Sequence, residues 1–281
     1  MACDTAFRIV ARRCLKDLTA HHAATREGDV DGLHHMRVAL TRLRTAISFF
    51  SPMVAGPQRT RIRGELKWLN AHLGVVRDLD VAIERLKKID KQHPPTDYRS
   101  WNRERAASQR HLARVLQSVR YQRLIKSISN WVERGSWATK AGKQAATQRA
   151  CPIAEYSAIK LTRWWKKLIK NSRKLRDFST RKLHRLRLMN KKLHYAVLSV
   201  ADLISNNAIS KHQAMVRYLR QAQKSLGQLN DDARGRSLAT TVGKGEAQAS
   251  QPFLSPKREK RLIRNAATAY EKLAELKPLR I

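Results

Sequence analysis

A fourteen-residue pattern in the first half of this 281-residue chain returns, without a gap, 150 positions later. Leu33-His34-His35-Met36-Arg37-Val38-Ala39-Leu40-Thr41-Arg42-Leu43-Arg44-Thr45-Ala46 aligns onto Leu183-His184-Arg185-Leu186-Arg187-Leu188-Met189-Asn190-Lys191-Lys192-Leu193-His194-Tyr195-Ala196. Leu, His, Arg, Leu and Ala coincide at five positions, and Arg42/Lys192 and Arg44/His194 each keep a basic or titratable nitrogen. Downstream, Leu73-Gly74-Val75-Val76-Arg77-Asp78 corresponds to Leu226-Gly227-Gln228-Leu229-Asn230-Asp231, a second landmark in the same order. A duplication is the simplest account, and it obliges both halves to solve one folding problem in the same way.

Between Pro and Gly breaks, nearly every segment spaces its apolar residues three and four apart, and no run alternates apolar with polar, so the expected fold class is all-α. Helices are expected near 3–27, 30–51, 57–90, 97–133, 154–177, 180–205, 209–241 and 256–277. Start and stop signals stand at Gly28-Asp29, Ser51-Pro52, Pro94-Pro95-Thr96-Asp97 and Ser255-Pro256. Gly74 and Gly227 lie inside two of these helices and mark a bend or a close backbone approach. Gly135–Pro152 and Thr241–Pro256 read as linkers. The chain is therefore expected to be one domain of two halves, 1–135 and 154–281, joined across 136–153. Four helices per half give two four-helix bundles related by an approximate twofold axis, with their second helices in equivalent places.

Charge limits the partners. Lys and Arg number 58 against 22 Asp and Glu, a formal net charge of +36. A surplus of that size repels itself and points to a polyanion: nucleic acid, an anionic membrane or a phosphate polymer. The 42% hydrophobic content excludes a disordered tail, and no apolar run approaches the roughly 20 residues of a membrane span. Arginines run through MACDTAFRIVARRCLKDL, where a secretory signal needs an uncharged apolar segment, so a cytoplasmic protein is expected. Cys3, Cys14 and Cys151 are odd in number and form no C-x-x-C pair, which suggests neither a disulfide framework nor a zinc site. No cofactor is expected.

At about 100° per residue, His34, Arg37, Thr41 and Arg44 fall within an arc of roughly 80°, with Met36, Leu40, Leu43, Ile47 and Phe50 on the opposite face. His184, Arg187, Lys191 and His194 make the same strip in the second half, opposite Leu183, Leu186, Leu193, Val197 and Val200. Arg42 and Lys192 stand at the flanks. A stripe of cations without acids is self-repelling until phosphates neutralise it. Arginine offers a fork to phosphate oxygens, lysine a point charge, and histidine a donor that becomes cationic near a polyanion. One such helix suits a solvated face as well as a binding face; its recurrence on the equivalent helix favours binding. In the second landmark, Arg77 and Asp78 are also explained by local ion pairs or the capping of a bent helix.

His34-x-x-Arg37-x-x-x-x-Arg42-Leu43-Arg44 and His184-x-x-Arg187-x-x-x-Lys191-Lys192-Leu193-His194-Tyr195, each followed by Leu-Gly-x-x-(Arg/Asn)-Asp, resemble the CHAD family, the conserved-histidine α-helical domain. The resemblance covers essentially the whole chain. It implies two pseudo-symmetric four-helix bundles around a basic central cavity, and binding of inorganic polyphosphate, often at polyphosphate granules in bacteria. Carried over by position, His34, Arg37, Arg42, Arg44, His184, Arg187, Lys191 and Lys192 contact phosphates, with Arg77 as a further candidate. The sequence departs from the family pattern at Thr41, usually basic, and at His194, usually arginine; His194 is kept as a phosphate-binding candidate that makes affinity pH-dependent.

A non-enzymatic polyphosphate-binding protein is the expected function. Non-specific nucleic-acid binding is the alternative, since six tryptophans and six tyrosines offer stacking surfaces. However, Trp68, Trp131 and Trp164-Trp165 stand in apolar helical contexts that suit core packing, and no helix-turn-helix, zinc-finger or RNA-recognition signature is present. Catalysis on phosphoanhydrides needs clustered carboxylates or an activated nucleophile, and the 22 acids are scattered. Membrane-surface binding fits less well, because the basic strips oppose a core face instead of forming a lone amphipathic anchor.

Overall fold

Helical periodicity becomes helix throughout the described chain. A computed structural model describes residues 1–90, 98–139, 142–203, 209–242 and 254–276, which form α-helices and short 3-10 turns with no β-strand among them. The helices are α1 (Cys3–Ala20), α2 (His22–Glu27), α3 (Val30–Phe49), α4 (Pro57–Asp90), α5 (Arg99–Gln117), α6 (Val119–Arg134), α7 (Lys143–Ala150), α8 (Ile153–Ser172), α9 (Thr180–Ala201), α10 (Ile209–Val242) and α11 (Pro256–Glu275).

The cap signals act as their chemistry requires. Gly28 ends α2 in the left-handed region at φ 92°, and the Asp29 carboxylate accepts from the Gly32 N–H at 2.5 Å to start α3. Ser255 accepts from the Arg258 N–H at 3.3 Å, with Pro256 in the first helical position. Two expected helices are divided. His21 (φ −94°, ψ 6°) separates α1 from α2. Ser118, extended at φ −67° and ψ 149°, accepts from the Tyr121 N–H at 3.2 Å and so caps α6 instead of continuing α5. The expected 154–177 helix stops at Ser172 and ends in a 3-10 turn over Leu175–Asp177. The Pro94–Asp97 start signal and most of the second linker lie outside the described residues.

In the first half α1, α3, α4 and α6 pack in a closed ring; in the second, α8, α9, α10 and α11 do the same. That neighbour order is compatible with a duplicated four-helix unit. The halves are not independent, since α3 packs on α9 and α4 on α10, and Leu40, Leu43 and Ile47 join Leu186, Leu193 and Val197 in one continuous core. The segment expected as a linker across 136–153 is partly built into this core. It carries α7, and its Trp137 ring is buried edge-on to Phe7, donating its indole N–H to the Trp131 carbonyl at 2.6 Å. Cys3 and Cys14 are buried and unpaired, with burial pushing both thiols up to about 12.

Candidate functional site

The apolar faces assigned to α3 and α9 are buried along their length. Because these helices pack on one another, their basic strips meet where they cross. Arg37 and Arg187, equivalent in the repeat, are both half-buried there. Burial is the main force pushing the Arg37 pKa down; Asp78 opposes it, and the charges of Arg77, Arg187 and Arg234 add to it. Arg37 Nη1 and Arg187 Nε are buried nitrogens with no hydrogen-bond partner among the described residues. Charged donors in that state are costly until an acceptor arrives from outside the protein. Gly74 of α4 provides the room: a Cβ at that position would stand 3.2 Å from Arg37 Nη1. The close approach expected at Gly74 is thus present, whereas a Cβ at Gly227 would meet nothing within 4 Å.

Around this pair the strips continue. Burial, then Arg187, Arg37 and Arg44, push Lys191 down to about 8, with Asp231 opposing. Arg44 reaches the surface, and partial desolvation by its neighbours, then the charge of Arg63, lower its pKa. His34 is also lowered, by burial first and then by Arg77, His35 and Lys191, slightly offset by Asp31. Thr41, where the family pattern is basic, donates its hydroxyl to the Arg37 carbonyl at 2.8 Å and is occupied within its own helix. His184 Nδ1 lies 2.6 Å from Asn230 Oδ1, within hydrogen-bond distance. The histidine of each strip therefore faces the same landmark position of its own half, Arg77 in one and Asn230 in the other.

The landmark acids do not make the local pairs that spacing suggested. Asp78 accepts from Arg234 Nε at 2.9 Å, and Asp231 lies 3.8 Å from Arg85, which also donates to the Gln228 carbonyl at 3.1 Å. Both pairs run between α4 and α10, so the acids tie the halves together beside the cationic crossing.

The flank positions diverge from the strips. Arg42 turns towards α1, 3.9 Å from Asp17, with its guanidinium 5.8 Å from the Tyr195 ring centre. Lys192 turns towards α8, its ammonium 4.1 Å from the Trp164 ring centre, and is pushed down to about 8 by burial and by Lys160, Arg63 and Lys167. His194 is driven down to about 4, by burial first and then by Arg220, Arg42 and Lys191. Its imidazole is therefore uncharged near neutral pH in the free protein. Helical spacing places it on the strip, and burial, with the surrounding cations adding to it, disfavours its charged form.

The structure thus gathers Arg37, Arg187, Lys191, Arg44, His34 and Arg77 around the crossing. It sets His184 at one outer end, Arg42 with His194 on one flank, and Lys192 on the other. Arg63, Lys160 and Lys167 join the cationic set without having been singled out in the sequence. Their only local signal was the Lys160/Lys167 spacing on α8, which has no meaning until α9 is laid beside it. The tryptophans are packing groups: Trp131 is buried, Trp165 donates to the Leu273 carbonyl at 3.1 Å, and Trp164 stands edge-on to Phe49. No described helix is long and apolar enough to cross a membrane.

This all-α fold has solved counterparts. The crystal structure of the CHAD domain from the plant Ricinus communis superposes with a TM-score of 0.73 at 22% identity, covering 100% of this chain and 94% of that one. PptA from Streptomyces chartreusis superposes with a TM-score of 0.64 at 13% identity, covering 98% and 96%. The chain belongs to the CHAD domain family, whose sequence profile matches residues 9–240. That family is linked in general to polyphosphate and triphosphate binding. No curated protein matches the chain significantly.

Proposed function

We propose that this protein binds inorganic polyphosphate, without catalysis, at the crossing of α3 and α9. The observation that carries this reading is the convergence of Arg37 and Arg187, one from each half, with buried nitrogens that no group among the described residues satisfies. A phosphate chain supplies repeated oxygen acceptors and about one negative charge per unit, and it engages both strips at once while releasing counterions. Binding without turnover is supported by the carboxylates nearest the crossing, Asp78 and Asp231, which are committed to Arg234 and Arg85. Packed tryptophans weigh against a single-strand nucleic-acid reader, which needs exposed stacking faces. Association with polyphosphate granules in a bacterial cytoplasm is the setting this chemistry suits.

The test is a titration of long-chain polyphosphate, tripolyphosphate, DNA and RNA at several salt concentrations. Long polyphosphate should bind most tightly, displace both nucleic acids and weaken steeply with salt. Reversing Arg37 and Arg187 to Glu should cost about 100-fold or more in affinity. Reversing the exposed Arg258 and Arg261 of α11 should cost far less. Equal losses from both pairs, salt-independent binding, or a base or sugar preference would reject the proposal, and release of orthophosphate from the polymer would reject its non-catalytic part.

A further inference from the structure

The basic surface around the crossing is not equally hospitable on its two flanks. Towards α1, Arg42 meets Asp17 at 3.9 Å and Arg13 is paired with Asp202 at 2.8 Å. His194 lies on that side and is uncharged, so a phosphate leaving Lys191 in that direction meets carboxylates and a neutral imidazole, although Arg217, Arg220 and Lys224 line a groove between α9 and α10 there.

Towards α8 the surroundings are opposite in sign. Lys160, Trp164 and Lys167 are spaced four and three residues apart on α8 and so share one face, with the lysines about 10 Å apart along the axis. Lys192 sits over the middle of this row, 4.1 Å from the Trp164 ring centre. Trp164 is itself held edge-on to Phe49 at 5.5 Å, and the neighbouring Tyr156 hydroxyl donates to the Phe49 carbonyl at 2.7 Å. The row is therefore anchored to the C-terminal end of α3. Arg63 of α4 bridges to the strips, since its charge acts on both Arg44 and Lys192. Lys160 is half-buried and Lys167 exposed, and no acid among the described residues offsets Lys192 or Lys160.

Resting on the polyphosphate reading above, we infer that the polymer leaves the crossing on one side only, across Arg63 and Lys192 onto the Lys160–Lys167 ridge of α8. This ridge is an extension subsite for the chain, and it makes affinity depend on polymer length: tripolyphosphate fills the crossing, while longer chains also gain the ridge. The row suits a linear polyanion better than a compact one because its charges are spread along a helix instead of being focused on one point.

The experiment compares tripolyphosphate with long-chain polyphosphate on four forms of the whole chain whose folding is checked by circular dichroism. These are the unaltered protein, Lys160→Glu/Lys167→Glu, its charge-keeping counterpart Lys160→Arg/Lys167→Arg, and an equal charge reversal on the other flank, Arg13→Glu/Arg220→Glu. The ridge variant should lose about tenfold or more for the long polymer, with its salt slope flattened by about 1–2, and keep tripolyphosphate affinity within about twofold. The opposite-flank variant should change the ratio of long to short affinity little, and Lys160→Arg/Lys167→Arg should retain it. If both reversals shift that ratio equally, or the ridge variant weakens both ligands alike, the one-sided route is wrong although polyphosphate binding stands. Failure of the unaltered protein to bind either ligand would instead overturn the binding reading itself.

Discussion

Arg42 and Lys192 occupy the same position of the repeat, yet one faces Asp17 and the other sits among Lys160, Lys167 and Arg63. Gly74 and Gly227 are likewise equivalent, but only the first has a cationic side chain against it. Asp78 holds Arg234 at 2.9 Å, whereas Asp231 stands 3.8 Å from Arg85. The two copies of the sequence pattern lie on helices that pack on one another, and neighbours outside the repeat give them different electrostatics. The first half balances its flank charge with an acid; the second leaves its own uncompensated, which is the condition that favours an arriving anion. The paired strips make the proposed site, and the differences between their neighbours give the proposed route its direction.

The sharpest break in that comparison should come from the two landmark acids. Asp78 shields the half-buried Arg37 as well as pairing with Arg234, so Asp78→Asn leaves several cations facing one another. A loss of about 1–2 kcal/mol in unfolding free energy is expected, moderated because the Arg234 end of the pair is exposed to solvent. Asp231→Asn, whose pair is longer, should cost less. Denaturant unfolding measures both, and saturating polyphosphate should restore more stability to Asp78→Asn than it adds to the unaltered protein, because phosphate takes over the neutralising role. Equal costs for the two substitutions would mean that the halves are tied with equal strength despite their different geometry.

These asymmetries mark the limit of what was legible in the residues alone. The helical class, the buried faces of α3 and α9 and the recurrence of the strips all follow from spacing, because a helix's inward and outward residues are fixed locally. Gly74 was recognisable as a special position for the same reason, though not that its partner would be Arg37. The interruptions at His21 and Ser118, the docking of Trp137 within an expected linker, and the turning of Arg42 and His194 away from the crossing are tertiary outcomes. They depend on which helix lies beside which. The exchange of Asp78 and Asp231 across the halves belongs to this class, since each finds its arginine well beyond the reach of a local pattern.

The second comparison concerns protons on the two half-buried lysines. Lys191 and Lys192, both near 8 in the free protein against an ordinary 10.5, lose charge on the fold while the unfolded chain keeps it. Between about pH 8 and 10.5 the unfolded state thus binds more protons, and the stability of the ligand-free protein contributed by these groups rises with pH. Affinity should move the other way, falling by about tenfold across the same window as two contacts lose their charge. Lys192→Arg should remove more of the alkaline fall for long polyphosphate than for tripolyphosphate, and Lys191→Arg should act on both ligands. A flat affinity profile between about pH 7 and 10 would show that neither ammonium is engaged.

The smallest effect separates the two landmark glycines. Alanine is the better helix former, so Gly227→Ala, with open space at its Cβ, should stabilise the protein by about 0.5–1 kcal/mol and leave polyphosphate affinity unchanged. Gly74→Ala receives the same conformational benefit, but its Cβ would stand 3.2 Å from Arg37 Nη1. The guanidinium is the far end of a flexible side chain, so it yields by a few tenths of an ångström at little cost in folding. Its alignment with an incoming phosphate suffers instead. Melting temperature should therefore respond similarly in the two variants, while affinity falls by about two- to fivefold in Gly74→Ala alone. An unchanged affinity in Gly74→Ala would mean that Arg37 reaches its ligand from a position this glycine does not govern, and the distinction between the landmarks would then be one of packing only.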